Sequence, residues 1–118
     1  MKAKLMSLLA IWMLGAGSLL ARAGDADQKE KFKVAGNCGM CETRIEKAAK
    51  GVEGVNLAEW DKETKLIEVT FNPEVTSEDK IQEAIAEVGH DTPLHRASDE
   101  VYDQLPGCCK YERMEYEK

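Results

Sequence analysis

A short alternating run, Phe32 and Val34, gives way abruptly to a segment of helical period, Glu42 to Lys50, and two cysteines, Cys38 and Cys41, stand at the changeover. In the helical segment Ile45, Ala48, Ala49 and Val52 share one face, with Arg44, Glu46, Lys47 and Lys50 outside it. Gly51 and Gly54 end it and turn the chain. The loop Gly36-Asn37-Cys38-Gly39-Met40-Cys41 therefore lies between a strand and the start of a helix. There both sulfurs of a C-x-x-C converge on one point, and the unpaired amides and positive dipole end of the helix favour thiolate over thiol. Thiolates are the donors that soft metals prefer, so the spacing reads as a metal or redox site.

The rest of the chain supplies a sheet for that helix to cover. Val55 to Trp60 and Leu66 to Phe71 are predicted strands, joined by the polar Asp61-Lys62-Glu63-Thr64-Lys65 as a hairpin. Ile67, Val69 and Phe71 alternate with Glu68 and Thr70, as in a sheet with one face in the core and one in water. Asn72-Pro73 ends the second strand. A second helix is predicted to open at Thr76, with Asp79 completing a capping-box pattern, to bury Ile81, Ala84, Ile85 and Val88, and to stop at Gly89. Leu94 to Ala97 is a predicted edge strand. The resulting order is the α+β, ferredoxin-like βαββαβ arrangement, two helices on one face of a four-stranded antiparallel sheet.

Residues 1–23 carry the marks of an export signal: Lys2 and Lys4, an apolar stretch from Leu5 to Leu20, and Ala21-Arg22-Ala23 as a cleavage site. Cleavage there leaves no membrane span and implies a periplasmic or secreted protein. Residues 24–30 read as a flexible leader, 31–97 as the domain, and 98–118 as an extension with a helical turn before Pro106 and a charged, frayed end. Cleavage removes three basic residues and no acidic one, so the mature chain is more negative than the −6 of the whole. That balance argues against nucleic acid or an anionic membrane as partner. Export also places Cys38, Cys41, Cys108 and Cys109 where disulfides form unless something holds them reduced.

Residues 31 to 97 resemble the heavy-metal-associated domain family of soft-metal carriers. The resemblance rests on Gly36-Asn37-Cys38-Gly39-Met40-Cys41, then Ile45-Glu46, Ala48-Ala49, Val52 and Gly54-Val55, and downstream on Val69-x-Phe71-x-Pro73, Thr76-Ser77, Ile81, Ile85 and Gly89-His90-Asp91. It implies a carrier and no enzyme, with Cys38 and Cys41 as metal ligands. Its implied partners are a metal-transporting ATPase, an efflux component or another carrier, with the chain monomeric or bridged into a dimer by its ion. Two positions depart from the family pattern: Gly36 stands where a Met usually packs under the metal loop, and His90 where bacterial members often have Tyr.

Two thiolates suit Cu(I), which accepts low coordination; Hg(II) also takes two, and Zn(II) needs more ligands. His90, which in this fold approaches the loop, offers an extra ligand or a hydrogen bond that tunes the thiolates. Met40 offers a thioether. Cys108 and Cys109 are adjacent, a poor arrangement for two ligands on one ion. They can form a vicinal disulfide, pair with Cys38 and Cys41, or hold an ion if the extension folds back, and the sequence does not choose. Readings of another class are a thiol-disulfide oxidoreductase, with Cys38 attacking and Cys41 resolving, and a structural module stapled by disulfides.

Overall fold

The strand Leu66–Phe71 (β3) lies at the centre of an antiparallel sheet, flanked by Gln28–Lys33 (β1) and Val55–Trp60 (β2), in a computed structural model that describes residues 27–116. Its alternation works as the sequence predicts: Ile67, Val69 and Phe71 are buried, while Leu66 is exposed. Phe32 pairs with Ile67 on one side, and Ala58 and Trp60 pair with Val69 and Ile67 on the other. These residues make one apolar face, covered by the helices Gly39–Lys50 (α1) and Glu78–Glu87 (α2), which contribute Ile45, Ala49, Ile81 and Ile85. Burying each of the three isoleucines stabilises the fold by about 1.5–3 kcal/mol against leaving it in water.

The β2–β3 hairpin closes through Asp61, whose carboxylate accepts from the amides of Glu63 (2.7 Å) and Thr64 (3.3 Å). Lys65 adopts a φ of 66°, a left-handed conformation uncommon for a residue with a side chain. From there its ammonium reaches across to donate to the Gly36 carbonyl at 2.6 Å, tying the hairpin to the cysteine loop.

Four expectations are corrected. Leu94 to Ala97 forms no strand, and the sheet among the described residues has three strands. The donors a ladder needs are already taken: Leu94 N–H by the Gln82 carboxamide (2.9 Å), His95 N–H by the Thr92 hydroxyl (3.1 Å) and Ala97 N–H by the Asp91 carboxylate (2.8 Å). The β1 strand begins at Gln28, so it takes in the last residues of the expected leader. The second helix is capped by Ser77, whose hydroxyl accepts from Lys80 N–H at 3.2 Å, and the Thr76 hydroxyl is buried without a partner. Up to residue 116 the extension is packed rather than frayed: Tyr111 is buried, and Arg113, Met114 and Tyr116 make specific hydrogen bonds. The expected export signal, 1–23, lies outside the described residues. Among those described, no helix is long and apolar enough to cross a membrane.

Candidate metal centre

Cys38 occupies the N-cap of α1, the position where a side-chain acceptor ordinarily meets the free amides of the first turn. It closes no cap hydrogen bond of regular geometry. The Cys41 amide, helped by that of Met40 and by the thiols of Cys108 and Cys109, nevertheless outweighs partial burial and brings the Cys38 thiol down to about 6. Cys41, one turn on, is fully buried under the loop. Burial, reinforced by the neighbouring Cys109, pushes its thiol up to about 11. The two sulfurs lie 3.8 Å apart.

The floor beneath this loop is Trp60. Its indole N–H donates to the Val34 carbonyl at 3.0 Å, and its backbone N–H to the Glu46 carboxylate at 2.8 Å. A Cβ built on Gly36 would stand 3.1 Å from the indole ring and 3.2 Å from the Cys41 Cβ. The space under the loop is thus filled from β2, which accounts for the glycine at position 36.

The extension returns to the same place. After the helical turn Asp99–Asp103 (α3), capped by Ser98 through the amide of Val101, a 3-10 turn at Gly107–Cys109 sets its cysteines against the loop. The Cys109 sulfur lies 3.8 Å from that of Cys38, and the sulfurs of Cys38, Cys108 and Cys109 all fall within 4.8 Å of one another. Cys108 also contacts the Met40 thioether at 3.6 Å, although Met40 is otherwise half-exposed. All four cysteines are free thiols. The expectation that adjacent cysteines diverge is overturned, because the tight turn aims both at Cys38.

Leu105, Cys109 and Tyr111 join the extension to the hydrophobic core, and a largely buried polar network fixes it there. Arg113 donates to both oxygens of the fully buried Asp91 carboxylate, each at 2.9 Å, and that carboxylate also accepts from the amides of Ala97 and Met114. The Tyr111 hydroxyl donates to the Gly89 carbonyl (2.6 Å) and accepts from the Asp91 amide (3.0 Å). Asn37, inside the cysteine loop, donates to the Lys110 carbonyl at 3.0 Å.

His90 does approach the loop, but from below and fully buried. Its ring is stacked on Tyr111, and Nδ1 lies 2.9 Å from the Ala35 carbonyl, so Nδ1 carries the hydrogen and donates. Nε2 has no partner, and burial brings the imidazole down to about 4. It stands outside the group of clustered sulfurs. Arg44 is a residue that sequence reasoning missed: its guanidinium donates to the Cys109 sulfur at 3.4 Å. Its position three after Cys41 on the same helix was the available signal.

Residues 31–91 match the heavy-metal-associated domain. The chain is 38% identical over 80 residues to the copper-transporting ATPase HMA5 of Oryza sativa subsp. japonica, a match covering 64% of this chain and 8% of the ATPase. It is 38% identical over 58 residues to the mercuric transport protein periplasmic component of Shewanella putrefaciens, covering 49% of this chain and 64% of that protein. The chain therefore spans a small part of the first relative and just under two thirds of the second. Among solved structures it is similar to oxidized MerP from Ralstonia metallidurans CH34, with a TM-score of 0.55 at 34% identity over 57% of this chain and 94% of that one. It is similar also to a CopZ metallochaperone, with a TM-score of 0.53 at 26% identity over 55% of this chain and 98% of that one.

Proposed function

Because this chain belongs to the heavy-metal-associated domain family, we propose that it is an exported soft-metal-binding protein that holds Cu(I) through Cys38 and Cys41 and transfers or sequesters it by thiolate exchange. The observation that carries the reading is the pair of sulfurs 3.8 Å apart at the N-terminus of α1, one of them held as thiolate at neutral pH. Such a transfer needs no catalysis. An incoming thiolate of a partner displaces one cysteine and then the other through a shared ion, each step exchanging one metal–sulfur bond for another. Cys38 is the half-exposed ligand and the natural first point of exchange; Cys41, buried, is the anchor.

The partners of such a carrier are a metal-transporting ATPase domain, an efflux component or another carrier, and the periplasm is the compartment implied by the signal-like N-terminus. Hg(II) is the close alternative as cargo, supported by the likeness to mercuric transport proteins; Zn(II) is a further one, since additional sulfurs stand nearby. The split between the Cys38 and Cys41 thiols also favours one reading of another class, a thiol-disulfide oxidoreductase. Titrating the reduced protein anaerobically with Cu(I) against a competing chelator, beside the Cys38→Ser/Cys41→Ser variant, tests the carrier. Tight binding lost in the variant supports it, and absence of binding in the intact protein refutes it.

A further inference from the structure

Cys108 and Cys109 lie beyond the matched domain, 31–91, and the two-cysteine site makes no use of them. Their sulfurs nonetheless cluster with that of Cys38 within 4.8 Å, and Cys38 is equidistant, at 3.8 Å, from Cys41 and Cys109. Spacing discriminates between coordination numbers. With thiolates about 2.3 Å from an ion, a linear pair stands about 4.6 Å apart and a trigonal set about 4.0 Å. The Cys38–Cys109 separation of 3.8 Å, with the Cys108 sulfur within 4.8 Å of both, stands nearer the trigonal spacing than the linear one.

The clustering is also built. The buried Asp91–Arg113 pair, the Tyr111 hydroxyl and the Asn37 side chain together fix the 3-10 turn against the loop. Three thiolates on a monovalent ion leave a net negative charge, and the Arg44 guanidinium stands 3.4 Å from the Cys109 sulfur to offset it. The N-terminus of α1 acts in the same direction.

We propose that Cys108 and Cys109, with Cys38 as the shared ligand, complete a three-thiolate site for a soft metal ion, so that the extension closes over cargo received at the C-x-x-C loop. The inference rests on the soft-metal reading above. It assigns the extension a ligand role: the ion, still held by Cys38, exchanges its bond to Cys41 for bonds to Cys108 and Cys109, and of the two protons the incoming thiols lose, one returns Cys41 to its thiol and the other passes to solvent. Donors already held in place act intramolecularly, and removing them should weaken binding by about 10²-fold or more.

The test uses Cu(I) itself, under anaerobic reducing conditions, on the chain from Gly24 onward. X-ray absorption should count three sulfurs around copper, and Cys108→Ser/Cys109→Ser should count two and lose affinity by the factor above in chelator competition. Cys109 is buried, so the exposed Cys108 provides a readout without mutation. Its alkylation by iodoacetamide, read by peptide mass, should be fast in the apoprotein and blocked after loading. Two sulfurs in the intact protein, with Cys108 alkylated equally fast in both states, would overturn the three-thiolate site and leave the two-cysteine carrier standing. Absence of copper binding altogether would overturn both.

Discussion

Arg113 holds Asp91 by two parallel hydrogen bonds of 2.9 Å, and the carboxylate so held is fully buried. Burial by itself pushes the Asp91 carboxyl up, but Arg113 and the amides of Ala97 and Met114 outweigh it and hold it below the usual carboxylate range. Removing one partner strands the other charge. Arg113→Ala should cost about 3 kcal/mol or more, measured by urea unfolding at pH 7. The folded pKa is depressed, so this contribution is present above the unfolded value and is lost as pH falls through the folded one. The wild type and Arg113→Ala should therefore converge in stability in acid; a constant gap from pH 7 to pH 2 would deny the pair its role.

His90 gives a second, separate pH signature. Burial brings it from the ordinary 6.5 to about 4, so between those values the unfolded chain binds a proton that the folded chain refuses. Stability then rises with pH across that window, full above 6.5 and lost toward 4, by about 2–3 kcal/mol at pH 4.5. His90→Phe keeps a ring against Tyr111 but leaves the Ala35 carbonyl unpaired, which costs about 1–3 kcal/mol at pH 7. Its stability should nevertheless be flatter between pH 6.5 and 4.5 than that of the wild type. Equal slopes in the two proteins would mean that another group carries the acid sensitivity.

Period and punctuation made most of the fold legible. Alternation in Ile67, Val69 and Phe71 placed the central strand, and helical spacing of Ile45, Ala49, Ile81 and Ile85 placed both covering helices. The C-x-x-C placed the loop. Side-chain competition for backbone donors was not legible: nothing in Leu94 to Ala97 says that Thr92, Gln82 and Asp91 have already taken its amides. Nor was the return of Cys108 and Cys109 to Cys38, because it depends on Asp91 meeting Arg113 across a separation that no local pattern encodes. The cap was misplaced by one residue because Thr76-x-x-Asp79 and Ser77-x-x-Lys80 both begin with a capping hydroxyl.

That last ambiguity yields a pair of opposite effects. Ser77→Ala removes the acceptor for Lys80 N–H and should destabilise the protein by about 1 kcal/mol. Thr76→Val replaces a buried, unpartnered hydroxyl by a methyl group and should be neutral or stabilising. Thermal unfolding of the two variants checks the assignment, and the reverse order would return the cap to Thr76.

Gly36 and Trp60 should behave as a coupled pair. A side chain at position 36 meets the indole and the Cys41 Cβ at little over 3 Å, and the indole, pinned to the Val34 carbonyl, has little room to give. Gly36→Met alone should cost about 1–3 kcal/mol by overpacking, and Trp60→Ala alone about 3–5 kcal/mol by opening a cavity. The double variant should be more stable than the sum of the two predicts, because methionine then occupies the vacated space. Chemical denaturation of all four proteins closes the cycle, and simple additivity would show that the two residues do not share that space.

The two cysteines of the loop should differ sharply in reactivity. Cys38 is half-exposed and its thiol is brought down to about 6, chiefly by the Cys41 amide; Cys41 is buried and pushed up to about 11. In the metal-free reduced protein, iodoacetamide should modify Cys38 with a rate that rises with pH to a midpoint near 6, and spare Cys41 at pH 7. Peptide mass spectrometry after short exposures, repeated from pH 5 to pH 9, separates the sites. Arg44→Gln removes the cation beside Cys109 while leaving the α1 amides in place, so the Cys38 midpoint should stay close to 6 in that variant. A midpoint near the ordinary thiol value of 9 in the wild type would mean that the helix N-terminus does not hold this sulfur as a thiolate, and would remove the electrostatic basis for Cys38 as the first ligand to meet the metal.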